Sequence, residues 1–300
     1  VPAIETRGLG KTYASLRRGR PPSLDALDLR VEAGECFGFL GRNGAGKTTT
    51  IKILCSLIRP TAGAAFLFGE DVRARATRRL VGYLPEQPYF YEYLTPRETL
   101  DFYGRVRGMD RAARDHAWGR LADLLDLRTI AGERIKGFSK GMRQRVGFAV
   151  ALLGDPPLLI LDEPMSGLDP LGRRNIRELM LRLKAEGKTL FFSSHVLGDV
   201  EQVCDRVGML VQGRLIRQAR IDTLAREALR GVEVVATGVP EADRARVFAA
   251  ARDLRRVEDR DVALFAAEAD ANAAVRALHA AGGALVEFSV VRESLEAYFL

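Results

Sequence analysis

Cysteine is nearly absent: Cys36, Cys55 and Cys204 are the only three in 300 residues, and they are scattered without the paired spacing of a metal site. Cys36 and Cys55 sit in apolar stretches, so the pattern is that of buried thiols in a reducing compartment, not of a disulfide framework. Long apolar runs are also lacking. No stretch reaches the roughly 20 residues that cross a bilayer, and the N-terminus carries no signal-peptide pattern. The expected location is therefore cytoplasmic, with any work at a membrane done through a partner. A disorder-prone composition is missing as well. At 47% hydrophobic and 28% charged residues the chain can bury a proper core, and its length suits one large domain or two smaller ones. Acid is in deficit: the net charge of +7 admits nucleic acid, anionic lipid or a nucleotide as partner. Arginines and acids nevertheless alternate almost everywhere. Only Arg17–Arg20 and Arg73–Arg79 are locally basic and read as solvated faces, so no nucleic-acid partner is expected.

What is present begins with the stretch from Glu35 to Ile58. Gly41, Gly46, Lys47 and Thr48 satisfy the phosphate-loop spacing of a glycine, four residues, then Gly-Lys-Thr. The flanks fit the motif. Phe37 to Leu40 is an apolar run suited to a buried strand, and Ile51, Leu54, Cys55 and Ile58 fall at helical spacing. A loop running through Asn43, Gly44, Ala45 and Gly46 into Lys47, Thr48 and Thr49 can turn backbone N–H groups toward phosphate oxygens, helped by the positive end of the following helix. Lys47 would reach the outer phosphates and the Thr48 hydroxyl would bind Mg²⁺. The stretch reads as a nucleotide site.

Other elements follow in order. Strands are expected at Ile4–Tyr13, around Leu27–Val31, at Ala64–Phe68 and at Leu80–Tyr83, with an Arg-, Gly- and Pro-rich loop over Ala14–Ser23. From Pro85 to about Gly154 the texture is helical. Thr95-Pro96-Arg97-Glu98 has the form of a capped helix start. Leu121, Leu124, Leu125 and Arg128 mark a second helix, and a third begins at Ser139. Leu158 to Leu161 is a continuous apolar run, as in a strand covered on both faces, and it ends in Asp162-Glu163. An amphipathic helix through Leu183 comes next, then a strand over Thr189–Ser193 and a hairpin over Val207–Ile216. Beyond Arg220 the expected order is strand (Val232–Ala236), helix (Ala242–Ala251), strand (Leu254–Val257), strand (Val262–Ala266), helix (Asn272–Ala281), strand (Ala284–Val290). That is βαββαβ, a ferredoxin-like arrangement. A last helical turn, Glu293–Phe299, would rest Leu295 and Phe299 on something apolar.

Leu158 to Pro164 is a Walker-B pattern. A strand buried on both faces delivers two carboxylates at its carboxyl end, where ligands of open α/β sheets bind. Asp162 would hold the Mg²⁺ and Glu163 would orient and deprotonate an attacking water.

Between the two motifs lies Phe138-Ser139-Lys140-Gly141-Met142-Arg143-Gln144-Arg145, which resembles the signature of ATP-binding-cassette (ABC) ATPases, usually Leu-Ser-Gly-Gly-Gln. Lys140 replaces the first glycine of the pair and Met142 the glutamine. Ser166-Gly167-Leu168-Asp169 is similar to the family's D-loop, and His195 to its switch histidine. The resemblance covers Ile4 to roughly Ile216. It implies a P-loop NTPase cassette at 1–220, with a mixed sheet core and a helical subdomain at about 86–154, and leaves 221–300 as a small α+β accessory domain. It implies ATP and Mg²⁺ as ligands, adenine stacked on Tyr13, and Ser139 and Gly141 of one copy closing over ATP held by a second copy. Glu86 stands where the family has its Q-loop glutamine and Gln87 follows it; either could touch Mg²⁺ or water. Pro88 to Tyr93, with its aromatics, would lie where the family meets a membrane subunit; the alternative is aromatic packing within the helical subdomain. The whole reads as the ATPase of a bacterial exporter with a separate permease, peripheral on the cytoplasmic face of the membrane. The alternatives are a soluble ABC ATPase acting on nucleic acid or ribosomes, and a non-catalytic nucleotide-binding module.

Overall fold

The computed structural model describes residues 1–13, 21–227 and 229–292. The basic run Arg17–Arg20, most of the loop from Ala14 and the helical turn expected over Glu293–Phe299 lie outside the described residues. The chain divides into two compact units, Val1–Ile221 and Asp222–Leu300.

The first unit opens with β1 (Ile4–Lys11), β2 (Leu24–Val31) and β3 (Cys36–Leu40), then α1 (Lys47–Leu54), β4 (Ala62–Leu67) and the short β5 (Glu70–Asp71). A 3₁₀ turn at Arg75–Arg79 leads to β6 (Val81–Leu84). Three helices follow, α2 (Pro96–Val106), α3 (Arg111–Leu124) and α4 (Lys140–Ala151), the last two separated by 3₁₀ turns at Arg128–Ile130 and Ile135–Gly137. The chain then returns through β7 (Leu158–Leu161), α5 (Pro170–Ala185), β8 (Thr189–Ser194), α6 (Leu197–Glu201), β9 (Arg206–Val211) and β10 (Arg214–Arg220).

Two sheets result. β2-β1-β4-β5 is antiparallel, and β10-β9-β3-β8-β7-β6 is parallel except for its β10 edge. Every residue of β3, β7 and β8 is buried, which is why β3 and β7 read as unbroken apolar runs. In β2 apolar and polar residues alternate because only one face is covered. Ile51, Ile53 and Leu54 of α1 share one core with Leu27 and Leu29 of the first sheet and Phe37, Ile160 and Phe191 of the second.

The helices start where local chemistry supplies caps. The Thr95 hydroxyl accepts the Glu98 N–H while the Glu98 carboxylate accepts the Thr95 N–H, and Pro96 occupies the first turn. Asp110, Ser139 and Asp169 cap α3, α4 and α5, each side chain accepting the N–H three residues on. The helix expected to run through Leu121, Leu124, Leu125 and Arg128 ends sooner. The helix stops at Leu124, Asp126 takes a left-handed φ of 50°, and Arg128 belongs to a separate turn, so Ala117, Leu121 and Ala122 face inward.

Gly82 in β6 shows how closely the sheet and α4 approach. A methyl there would lie 2.1 Å from the Ala151 carbonyl oxygen and 2.6 Å from Leu159 Cδ2. Gly82→Ala is expected to destabilise the protein by about 1–3 kcal/mol through overpacking, seen as a lower urea midpoint. An unchanged midpoint would mean that α4 can back away from β6 freely.

The second unit holds α7, which begins at the boundary (Ile221–Glu227), β11 (Leu229–Thr237), α8 (Glu241–Val247), β12 (Ala251–Val257), β13 (Arg260–Phe265), α9 (Glu268–Ala280) and β14 (Ala284–Arg292). The strands form one antiparallel sheet in the order β12-β13-β11-β14. Val232, Val234, Ala263 and Phe265 on one face of it share a core with Val247, Ala274 and Leu278 of α8 and α9. The helix expected over Ala242–Ala251 is shorter: α8 ends at Val247, and Ala251 already pairs with Phe265 as strand.

Candidate active site

The carboxyl ends of β3, β7 and β8 converge on one cleft in the first unit. β8 lies between the other two, with Leu40 paired to Ser194 and Leu161 to Phe192. The cleft is lined by Ser23, Arg42, Asn43, Gly44, Gly46, Lys47, Thr48, Thr49, Glu86, Glu163, Ser166 and His195.

The loop after β3 turns on two left-handed glycines, Gly44 at φ 83° and Gly46 at φ 112°. Gly46 is fixed twice over, because a Cβ there would also come within 2.5 Å of the Ser23 carbonyl oxygen. α1 then begins at Lys47, so its unpaired N–H groups open toward the cleft. The side chain of Lys47 is almost wholly buried. Its Nζ donates to the Gly41 carbonyl at 2.6 Å and lies 3.3 Å from Glu163 Oε1. An ammonium that is held by carbonyls and one carboxylate can transfer to phosphate oxygens with little movement of the backbone.

Asp162 and Glu163 end β7, and their carboxylates do different things. Asp162 is buried, and its Oδ1 lies 3.4 Å from Thr48 Oγ1 and 2.7 Å from Ser193 Oγ. Burial pushes the Asp162 carboxyl above its ordinary pKa; hydrogen bonds from Ser193 and Thr48 oppose this, the Glu163 charge adds to it, and Lys47 counters. Glu163 adopts φ 48°, a region that costs a non-glycine residue about 1–2 kcal/mol. That backbone points the carboxylate into the cleft, where Oε1 faces Lys47 and Oε2 lies 2.8 Å from His195 Nδ1. His195 is held at the mouth by the turn at the end of β8, in which the Ser194 hydroxyl accepts the Val196 N–H at 3.0 Å.

The chain meets three kinds of relative. An ABC transporter family model matches residues 24–166. An uncharacterized ABC transporter ATP-binding protein of Synechocystis is 40% identical over 302 residues, covering 99% of this chain and 83% of the relative. The chain belongs to the ABC transporter ATP-binding family. A solved ATP-binding subunit of an ABC transporter superposes with a TM-score of 0.66 at 33% identity, covering 75% of this chain and 92% of that one. A Nod factor export ATP-binding protein of Burkholderia lata is 38% identical over 220 residues, covering 73% of this chain and 71% of that protein. The protein is thus an ATP-binding ABC cassette and an ATP hydrolase.

The structure sorts the residues singled out in the sequence. Asn43, Gly44, Gly46, Lys47, Thr48, Thr49, Glu163 and His195 line the cleft, and buried Asp162 contacts Thr48 at its floor. Gly41 and Ala45 support the loop: Lys47 bonds the Gly41 carbonyl, and Ala45 is buried. The Tyr13 hydroxyl lies 3.5 Å from Thr49 Oγ1, with Lys11 Nζ 5.2 Å from the centre of its ring, which leaves a half-exposed aromatic face beside the start of α1. Glu86 lines the cleft, whereas Gln87 is not among the lining residues. Ser139 and Gly141, at the N-terminus of α4, are not among them either; Ser139 is exposed there and its hydroxyl accepts the Met142 N–H. Sequence reasoning missed Ser23, Arg42 and Ser166 at the rim and Ser193 beneath. Arg42 and Ser166 sit inside motifs already in hand, but nothing in a strand reading Phe-Phe-Ser-Ser separates a working serine from a packed one.

The donor set around Asp162 fits Mg²⁺. Thr48 and Asp162 offer hard oxygens, and among the described residues no cluster of three His, Cys, Asp or Glu could form an all-protein cage. Few protein oxygens, with the remaining positions left to water and phosphate, is the usual Mg²⁺ arrangement.

Proposed function

We propose that this chain is the motor subunit of a transporter that pairs head to tail around ATP and drives a separate membrane permease, working as an exporter. The observation that carries the reading is the convergence of Lys47, Glu163 and His195 on one cleft whose lining leaves out Ser139 and Gly141. A signature serine exposed at a helix N-terminus, outside its own chain's nucleotide cleft, suits a surface that closes over a phosphate held by another copy.

In this mechanism the phosphates lie in the loop from Gly41 to Thr49, with Lys47 turned from carbonyl oxygens to the outer phosphates and Tyr13 presenting its ring to the base. Thr48 and Asp162, with Glu86 or Gln87 at the edge, would hold Mg²⁺, which when bound neutralises charge building on the phosphate oxygens. Glu163 orients the attacking water and takes its proton, and His195, bonded to Glu163 Oε2, fixes that carboxylate toward the water. ATP binds the closed pair better than the open one, so closure follows binding and separation follows hydrolysis.

Export is supported by the likeness to a Nod factor export protein. A membrane partner is supported by the exposed aromatics Tyr89, Tyr91 and Tyr93, and among the described residues no helix is long and apolar enough to cross a membrane. The cytoplasmic face of the membrane is the corresponding location. The test is affinity purification of the tagged chain from detergent-solubilised membranes of its own host, with ATPase activity measured on the product. Recovery of a polytopic membrane protein and Mg²⁺-dependent hydrolysis is expected. Recovery of RNA or ribosomes instead would replace the exporter reading with that of a soluble nucleic-acid ATPase.

A further inference from the structure

Ser193 is completely buried on β8, between the strand that delivers the phosphate loop and the strand that delivers the carboxylates. Its neighbours Leu190, Phe191 and Phe192 are apolar and buried, so packing alone gives no reason for a hydroxyl. That hydroxyl has two contacts, both at the catalytic elbow: it accepts the Glu163 N–H at 2.9 Å and donates to Asp162 Oδ1 at 2.7 Å. The directions are forced. A backbone N–H can only donate, so the serine oxygen accepts it, and the single hydroxyl proton is left for the carboxylate.

We infer that Ser193 is a positioning residue for ATP hydrolysis: one buried hydroxyl that locks the carboxylate of Asp162 and the left-handed backbone of Glu163 into fixed register. The bond to Asp162 sets the rotamer in which Oδ1 faces Thr48. The bond from Glu163 N–H holds a residue at φ 48° whose relaxation would swing its carboxylate away from both Lys47 and His195. The next residue ties the same strand to the nucleotide loop, because the Ser194 carbonyl accepts the Gly41 N–H at 3.3 Å. Ser193 is fully buried behind two residues that reach the cleft or its floor. It acts through those two.

The inference rests on the chain being an ATPase of the kind described above, and the experiment separates the two. Wild type, Ser193→Ala, Ser193→Cys and Ser193→Thr are compared in ATP hydrolysis, in melting temperature, and in binding of a fluorescent ATP analogue with Mg²⁺ or with EDTA. Ser193→Ala is expected to lower kcat by about 10- to 100-fold, the usual cost of losing a partner behind a ligand. The gain in analogue affinity on adding Mg²⁺ should shrink in Ser193→Ala and in Ser193→Cys, whose thiol is a poor donor, and should be kept in Ser193→Thr. Ser193→Ala with the kcat and Mg²⁺ gain of wild type would overturn the inference. So would equal losses in Ala, Cys and Thr, which would mark the site as one of packing. If Ser193→Ala does not fold, Ser193→Cys decides against Ser193→Thr. A wild-type chain that hydrolyses no ATP would instead strike at the ATPase reading itself.

Discussion

Glu163→Gln is expected to slow ATP hydrolysis by about 10²-fold or more while leaving ATP binding intact, so that an ATP-bound pair of chains accumulates. The substitution keeps the shape of a side chain wedged between Lys47 Nζ at 3.3 Å and His195 Nδ1 at 2.8 Å. What it removes is the ability to take a proton from water at the moment of attack. An amide is not basic enough for that, although it can still hydrogen-bond. Losing the carboxylate also leaves Lys47 with only the Gly41 and Arg42 carbonyls, which frees the ammonium for phosphate. Binding should therefore be equal or tighter, and turnover slow. Size-exclusion chromatography with ATP and Mg²⁺ should show a species of twice the mass that disappears when ATP is replaced by ADP. Near-normal turnover in this variant would remove Glu163 from the base role, and a monomer under all nucleotides would remove the pairing.

Lys47→Ala should fail at the opposite step. The ammonium is the buried cation of the cleft floor, where it faces the developing phosphate charge. Removing one preorganised donor of this kind costs roughly 3–4 kcal/mol of transition-state stabilisation, about 10²–10³ in rate. The same change leaves the Glu163 carboxylate, only 11% exposed, without its cation. Buried charge without a counterion then pushes against triphosphate entering the site. ATP affinity should fall along with the rate, and no trapped pair should form. Titration with a fluorescent ATP analogue beside single-turnover hydrolysis separates this from the Glu163 variant. Wild-type analogue affinity in Lys47→Ala would show that the backbone N–H groups alone grip the phosphates.

These two residues were legible in the sequence because their signals are local. A glycine spacing before a helix and two acids at the end of an apolar run each occupy a few consecutive positions. The capped starts at Thr95, Ser139 and Asp169 were legible for the same reason. The end of α3 was not. Leu124, Leu125 and Arg128 keep helical spacing, and only the left-handed Asp126 breaks the run. Aspartate tolerates that conformation without announcing it, as glycine would have done.

By itself the sequence determined the phosphate loop, the pair of acids and their order along a cassette of strands and helices, because each depends on residues within a turn or two of one another. The tertiary structure alone decided that Ser193 spans Asp162 and Glu163, that His195 meets Glu163, that Tyr13 stands beside Thr49 and that Glu86 rather than Gln87 lines the cleft. The meetings of Ser193 and His195 with the two acids join residues 30 to 32 positions apart, and they exist because β8 runs in register beside β7. Strand register is set by the packing of the whole sheet, and a shift of one residue would turn Ser193 to the other face.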